Sequence, residues 1–361
     1  AGHTNQLVRW VEELGGPRAD RLEHDVVVAA GEQITSGLLA VALQNVGVPA
    51  RSLLGWQVPV RTDDVHGKAR IEAIDRAAID AVLDAGSVAV IAGFQGVDPA
   101  GRVTTLGRGG SDTSAVAVAA AIGADRCDIF TDVDGVYTTD PRIVPRARKI
   151  ARITYEEMLE MASLGAKVLQ TRSGALAMQY HVPGQVLSSF EDTPGTLVIA
   201  DDPMMEHQTV SGITYSRDEA KVTLVGVKDQ PGVAAQIFGP LAEAAVNVDM
   251  IVQSVSPDGR STDLTFTVTA TDLARTRDIL HGIAPQLGFE RLEADGGVVK
   301  ISVIGVGMRS HAGIAHRMFQ ALADRGINIQ AISTSEIKVS VLIPEDYTEL
   351  ALRTLHTAYG L

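Results

Sequence analysis

The sequence predicts an α/β fold in two parts, and three observations carry that prediction. Continuous apolar runs alternate with amphipathic stretches over residues 1–200, which reads as a largely parallel sheet covered by helices. The segment DDPMMEH at 201–207 then breaks the alternation with acids and a proline, and marks a boundary there. Beyond it the chain repeats itself: residues 221–251 match residues 299–332, with Gly226 aligned to Gly305, Gly232 to Gly313, Phe238 to Phe319, Leu241 to Leu322 and Asn247 to Asn328. A duplication with a period of about 80 residues gives two copies of one small domain. Each copy reads strand, glycine turn, helix, strand, strand, which is the β-α-β-β pattern of ferredoxin-like units. The copies occupy about 221–293 and 294–361 within a region 201–361. The second copy is short of a strand, which residues 208–216 are expected to supply from ahead of the first, so that one domain is inserted in the other.

In the first part, AGHTN reads as a polar turn, followed by an amphipathic helix with Leu7, Trp10, Val11 and Leu14 on one face. Residues 25–30, DVVVAA, read as a buried strand of the parallel type, and GEQITSGLLAVAL as the helix after it. Glu32 is then expected where a strand hands over to a helix, at the sheet edge where open α/β folds hold ligands. An acid stabilised at an exposed helix start fits this residue equally well at this point. Residues 51–56 continue as a strand, 70–84 as a helix, 87–94 as a second buried strand, and a glycine-rich hairpin runs on to Asp112. Residues 127–131, CDIFT, form a third strand, and 154–167 a helix with Met158, Met161 and Leu164 at helical spacing.

Composition narrows the function. Hydrophobic residues make up 45% of the 361 and charged residues 21%, a balance that folds and is not disordered. Lysine plus arginine number 31 against 44 aspartates plus glutamates, and no basic run occurs, which argues against nucleic-acid or anionic-membrane partners. The single cysteine, Cys127, excludes an internal disulfide and any cysteine-rich metal cluster, and fits a reducing compartment. No apolar run reaches the roughly 18 to 20 residues that span a bilayer, and no basic-then-apolar signal opens the chain, so a soluble cytoplasmic protein is expected.

Residues 104–121, TTLGRGGSDTSAVAVAAA, concentrate the chemistry. Gly107, Gly109 and Gly110 let backbone approach a ligand, and Ser111 and Thr113 are expected to cap the helix that the following apolar run forms. Free N–H groups and a helix dipole attract an anion there, with Arg108 as a fixed cation and Asp112 as a neighbouring carboxylate. An ordinary glycine turn into a buried helix fits the same stretch taken alone. Asp132, Asp134 and Asp140 lie in tight turns after a strand, where aspartates also bond their own backbone.

With AAGEQ at 29–33, GRGGSDTSA at 107–115, FTDVDGVYTTDPR at 130–142, GAKVL at 165–169, and then KDQPGVAAQIF, NVDMIVQ and INIQAISTSEIKVSVL, the chain resembles the aspartate kinases of the amino-acid kinase superfamily over its whole length. The resemblance implies a three-layer α/β sandwich over 1–200 followed by two ACT regulatory domains. It also implies transfer of the γ-phosphoryl group of ATP to the side-chain carboxylate of L-aspartate, the first step toward lysine, threonine and methionine, under feedback by lysine, threonine or both. By the same likeness Glu32 holds the substrate amino group, with Thr4, Gly109, Gly110 and Ser111 beside it, and Arg108 meets a carboxylate. Asp112, Arg108 and Lys167 stand at the transfer site. Thr131, Asp132, Tyr137, Thr138, Asp140 and Arg142, with Lys167, enclose the nucleotide, and Mg²⁺ bridges its phosphate oxygens without a protein ligand assigned to it. An ionised carboxylate needs no base to make it a nucleophile, so the residues are asked only to position and to neutralise charge.

In the repeated half the resemblance implies effector contacts at Asp229, Asn247, Val248, Asp249 and Gln253 on the first copy. Ile314, Ala315, Asn328, Ile329 and Ser335 are their counterparts on the second. Such sites form between copies of two chains, which implies a homodimer or higher oligomer. The family opens on a lysine-phenylalanine-glycine-glycine strand ahead of the present Ala1, and residues upstream are expected for that reason. A non-catalytic regulatory subunit and a related kinase acting on glutamate are the alternatives these motifs leave.

Overall fold

Asp20 starts a helix by accepting the Leu22 N–H at 2.8 Å, and the helix it caps runs for 25 residues. In the computed structural model, which describes residues 2–16, 19–164, 169–200, 209–256, 259–309 and 311–361, helix α1 is His3–Gly15 and this helix, α2, is Arg21–Asn45. The DVVVAA run expected as a strand is therefore helical, and Glu32 lies two residues beyond it in the same helix, not at a strand-to-helix junction. A short apolar run has no period of its own to separate strand from helix, and here the cap decides. By length and composition α2 also meets the requirement for a bilayer span, which no run was expected to do. It is nonetheless committed to its own domain through Asp25.

Asp25 is fully buried. Its Oδ2 accepts from the N–H of Gly67 and of Thr105 at 2.9 Å each and lies 2.9 Å from His66 Nδ1; its Oδ1 accepts from Thr105 Oγ1 at 2.6 Å. A carboxylate with this many donors is tolerated in an interior where an unpaired one is not.

Two compact units divide the chain, the first within Ala1–Gly135, Ala151–Ala162 and Lys167–Asp201. Its strands are β1 Ala50–Leu53, β2 Val60–Thr62, β3 Ile71–Ile74, β4 Val88–Ile91, β5 Gln95–Val97, β6 Val103–Thr105, β7 Cys127–Thr131, β8 Arg152–Thr154, β9 Gly184–Ser188 and β10 Thr196–Ile199. Its further helices are α3 Ala77–Asp84, α4 Gly110–Ile122, α5 Tyr155–Ser163 and α6 Thr171–Tyr180. The strands pair as β1-β4, as β3-β2-β5-β6 and as β7-β9-β10-β8, with parallel crossovers and antiparallel hairpins mixed. The expected helix over 70–84 is split: residues 71–74 pair with β2, and Asp75 turns the chain by accepting the Ala77 N–H before α3 begins. Thr154 and Glu157 exchange backbone and side-chain bonds in a capping box, which starts α5 at Tyr155 and leaves residues 152–154 to β8. Of the α1 face, Leu7 is buried while Trp10 and Leu14 are exposed. Cys127 is buried, and burial pushes its thiol up to about 11, so it remains a neutral thiol.

The second unit takes in Val136–Ile150 as well as the region after Asp202, so residues 136–150 cross the division expected near 200. The boundary segment 201–207 itself lies outside the described residues. The strands here are β11 Gly212–Ser216, β12 Ala220–Lys228, β13 Val248–Val255, β14 Ser261–Val268, β15 Arg291–Asp295, β16 Val298–Ile304, β17 Ala331–Thr334 and β18 Lys338–Pro344. The helices are α7 Val233–Glu243, α8 Leu273–Leu287, α9 Ile314–Ala323 and α10 Thr348–Tyr359. They form two antiparallel four-stranded sheets, β13-β14-β12-β15 and β11-β16-β18-β17. The first copy is inserted between β11 and β16 of the second, whose fourth strand β11 supplies. The duplication is exact at its turning point: α7 and α9 both begin after a left-handed glycine, Gly232 at φ 90° and Gly313 at φ 93°, an angle that costs a side-chained residue dearly. Leu241 and Leu322, aligned in the repeat, are both fully buried in the respective cores.

Replacing Asp25 with alanine leaves the Gly67 and Thr105 N–H groups without an acceptor. The first unit is expected to lose about 3 kcal/mol, read as a lower urea midpoint with α10 and the second unit unaffected in hydrogen exchange. An unchanged midpoint would mean that those donors find other partners.

Candidate active site

Helix α4 opens at Gly110 behind Gly109, whose φ of 71° no ordinary residue adopts cheaply. Ser111 and Thr113 do not cap it, as the sequence led us to expect. Thr113 Oγ1 instead bonds back to Gly109 O at 3.1 Å, and Ser114 Oγ to Gly110 O at 2.8 Å. Ser111 is exposed, and the N–H groups of Ser111 and Asp112 have no backbone acceptor among the described residues. Four glycines make room for the close packing. A Cβ on Gly110 would come within 2.7 Å of the Phe94 ring, one on Gly93 within 3.3 Å of Ser111 Cα, one on Gly107 within 3.0 Å of Gly67 O, and one on Gly109 would overlap Gln170. Burial pushes the Asp112 carboxyl up, opposed by the Gln170 N–H. Arg108 stands exposed at the tip of the loop with no carboxylate partner among the described residues.

Glu32 is half-buried in α2, and its Oε2 is fully buried without a hydrogen-bond partner among the described residues. Burial pushes its carboxyl up, tempered by its own backbone and by His3. The start of α1, which carries His3 and Thr4, packs against Gly31: a Cβ there would lie 3.5 Å from Leu7 and 3.6 Å from His3. The helix bearing Glu32 and the helix bearing Ser111 are tied to adjacent residues. Gln95, buried, donates to Ala29 O and accepts from Gln33, while Phe94 donates its N–H to Ser114 Oγ and accepts at its carbonyl from Leu106 N–H. Phe94 holds a left-handed φ of 66°, strain that these bonds on both sides sustain. The sequence reading missed Phe94 and Gln95; the only local trace of them is the pair of glycines in GFQG.

Thr131 and Asp132 follow at the carboxyl end of β7, with Thr131 Oγ1 bonded to Asp132 at 3.2 Å and Thr131 O accepting the Ser189 N–H. The remaining nucleotide-loop residues lie in the second unit. Thr138 is buried, its hydroxyl 3.0 Å from His356 Nε2 and its carbonyl accepting from Ile213 N–H at 2.7 Å. Burial, with Arg148 nearby, lowers the His356 pKa and keeps the ring neutral. Asp140 accepts a two-pronged bond from Arg142 and one from Tyr215 OH, and the Arg142 guanidinium holds its carboxyl below the usual carboxylate range. Tyr137 bridges to Lys149. The hydroxyl of Thr138 and the carboxylate of Asp140, assigned to the nucleotide from sequence, are thus engaged inside the second unit. Lys167 lies outside the described residues.

On the repeated domains Asp229, Asn247, Gln253, Asn328 and Ser335 are exposed, whereas Ile314, Ala315 and Ile329 pack against the core of the second copy. The Asp249 carboxylate is already paired, at 2.8 Å, with Lys300 of β16, which also meets Glu219 at 2.5 Å. Burial works against both charges, but the mutual bonds outweigh it, holding Asp249 below and Lys300 above their ordinary values. A single charge in the buried VVKISVI strand was the available signal for this bridge between the copies.

Residues 6–188 match the amino acid kinase family, and residues 221–284 and 301–359 each match the ACT domain. An aspartokinase of Pseudomonas aeruginosa is 56% identical over 363 residues, spanning 100% of this chain and 88% of that protein. An aspartate kinase of Stutzerimonas stutzeri is 55% identical over 362 residues, spanning 100% and 87%. Among solved structures, E. coli aspartokinase III in complex with aspartate and ADP superposes with a TM-score of 0.78 at 28% identity, over 98% of this chain and 80% of that one. The same enzyme in complex with lysine and aspartate gives 0.76 at 29%, over 98% and 79%. Near-complete coverage at such identity, joined to the glycine-led helix and the nested pair of small domains, places the chain in the aspartate kinase family: an ATP-dependent amino acid kinase domain followed by two ACT domains.

Proposed function

We propose that this chain transfers the γ-phosphoryl group of ATP to the β-carboxylate of L-aspartate, giving 4-phospho-L-aspartate for lysine, threonine and methionine synthesis in the cytoplasm. One observation supports the substrate assignment: Glu32 buries a carboxylate oxygen that has no hydrogen-bond partner among the described residues. A buried acceptor without a donor is costly, and a substrate ammonium supplies both the charge and the hydrogen bonds. In this reading Thr4 and Ser111 flank the amino acid and Arg108 meets its free carboxylate. The Ser111 and Asp112 N–H groups, through Gly109 and Gly110, face the transferring anion, where preorganised donors lower the barrier without proton transfer. Asp112 organises the cationic groups, with Lys167 as the counter-charge carried over from the family. Thr131, Asp132, Tyr137 and Arg142 serve the nucleotide, and Thr138 and Asp140 hold their segment in place.

Hard carboxylate oxygens are the chemistry Mg²⁺ prefers, and Asp112 offers one at the loop. No cluster of three ligating side chains occurs among the described residues, so Mg²⁺ would ride on the phosphates and neutralise their charge. Lysine, threonine or both are the effectors in this reading, held by Asp229, Asn247, Val248 and Gln253 of the first copy and by the Ile314–Ala315 backbone, Asn328, Ile329 and Ser335 of the second. The exposed edge strand β13, with Ile251, Val252 and Val255 at its surface, supports assembly of two chains through these domains.

Trapping the acyl phosphate with hydroxylamine tests the reaction: product is expected with aspartate and ATP, and a preference for glutamate would overturn the substrate assignment. Glu32→Ala is expected to raise the KM for aspartate about 10–100-fold, the worth of a charge-assisted bond, with the KM for ATP little changed. In the substrate-free protein Glu32→Gln should raise thermal stability at neutral pH. Because the folded-state carboxyl titrates above its unfolded value, the penalty it removes exists only above the unfolded pKa, and the gain should vanish as pH falls below about 4. Asp229→Ala and Gln253→Ala should weaken feedback inhibition while leaving the uninhibited rate unchanged; full inhibition in both would remove them from the effector site.

A further inference from the structure

Arg172, in the first turn of α6, pairs with no carboxylate among the described residues. Its Nη1 donates to Leu106 O at 2.8 Å and its Nη2 to Ala69 O at 2.6 Å. A half-buried guanidinium spent on two main-chain carbonyls acts on the path of the backbone. Burial, with Arg70 nearby, lowers its pKa against the opposing pull of the Asp63 carboxylate, yet an arginine remains charged, so the cost of that burial is sustained.

The two carbonyls belong to segments that lie side by side. Ala69 N–H donates to Thr105 O at 2.9 Å, and Gly107 is packed against Gly67 O so closely that a Cβ would sit 3.0 Å from it. Leu106 is the last residue before the glycine loop. Two residues before Arg172, Gln170 covers Gly109, the residue from which α4 starts. The beginning of α6 therefore holds the loop at its entry and at its exit.

We propose that Arg172 is a positioning residue for phosphoryl transfer: by bridging Leu106 O and Ala69 O it fixes the course of the Gly107–Gly110 backbone, and with it the aim of the Ser111 and Asp112 N–H groups. The proposal rests on reading the opening of α4 as the anion site. The fork of the guanidinium is what the geometry requires, since two N–H groups at fixed spacing meet two carbonyls, and a lysine ammonium reaches one at a time.

The test compares the full chain with Arg172→Lys and Arg172→Ala, the latter with and without millimolar guanidinium ion. It follows steady-state kinetics and, without substrates, amide hydrogen exchange over residues 104–116. A displacement of about 1 Å in such a loop lowers turnover by about 100-fold, so kcat should fall about 10–100-fold in both variants with each KM within about threefold. Guanidinium should restore part of the rate to Arg172→Ala alone, and exchange should quicken at 107–113 while α2 stays protected. Unchanged kcat with unchanged loop exchange overturns the proposal. So does a loss without rescue in which exchange quickens throughout the first unit, because Arg172 then supports stability only. If the wild-type chain itself forms no aspartyl phosphate, the functional reading fails, and the exchange at 107–113 still decides whether Arg172 sets the loop.

Discussion

Asp25 has to find its donors before the first unit can close around it. They come from two places far from it in sequence: His66 and Gly67 in the loop after β2, and Thr105 at the end of β6. Leaving any of these out strands a charge in the interior, so they assemble together or not at all. Two consequences reach the candidate site. Thr105 leads straight into the glycine loop, and Glu32 stands two helical turns from Asp25 on the same side of α2. One buried ion thus sets the positions of the anion loop and of the carboxylate proposed to hold the substrate ammonium.

A second tier of contacts then refines that frame. Gln95 and Phe94, adjacent in sequence, bind α2 and α4 respectively, and Arg172 and Gln170 close over the loop from α6. Chemistry that uses an already ionised carboxylate has little need of a proton acceptor and great need of fixed donors.

The second unit is organised on the same economy with different parts. Two domains of one ancestry are nested by the strand β11, and Lys300 of one copy is buried between Glu219 and Asp249, which come from outside that copy. Residues 136–150, read from sequence with the kinase region, are sewn to this unit by Thr138, Asp140, Ile143 and Arg148, which bond to Ile213, His356, Tyr215, Arg353 and Gly360. The chain that leaves β7 at the proposed nucleotide residues is therefore continuous with a segment held by the ACT domains.

Local pattern determined much of this protein. The CDIFT strand, the glycine-led opening of α4, the duplicated domains and the borrowed strand were all legible, because each leaves a period, a glycine at a left-handed turn, or a repeat in the chain itself. Where the pattern was only apolar, as in DVVVAA, or could serve two periods, as over residues 70–84, the reading erred; the cap at Asp20 and the pairing of β3 with β2 decided those cases. Ser111 and Thr113 were expected to cap a helix that Gly109 starts instead. Which side-chain types the candidate site has, and in what order, is written in the chain. It takes the folded contacts to show that Asp25 satisfies a loop and a strand at once, that Glu32 has an oxygen without a partner among the described residues, that Thr138 and Asp140 bond within the second unit, and that Arg172 grips two carbonyls. Those are pairings of charge and hydrogen bonds between segments tens to hundreds of residues apart, and no local periodicity records them.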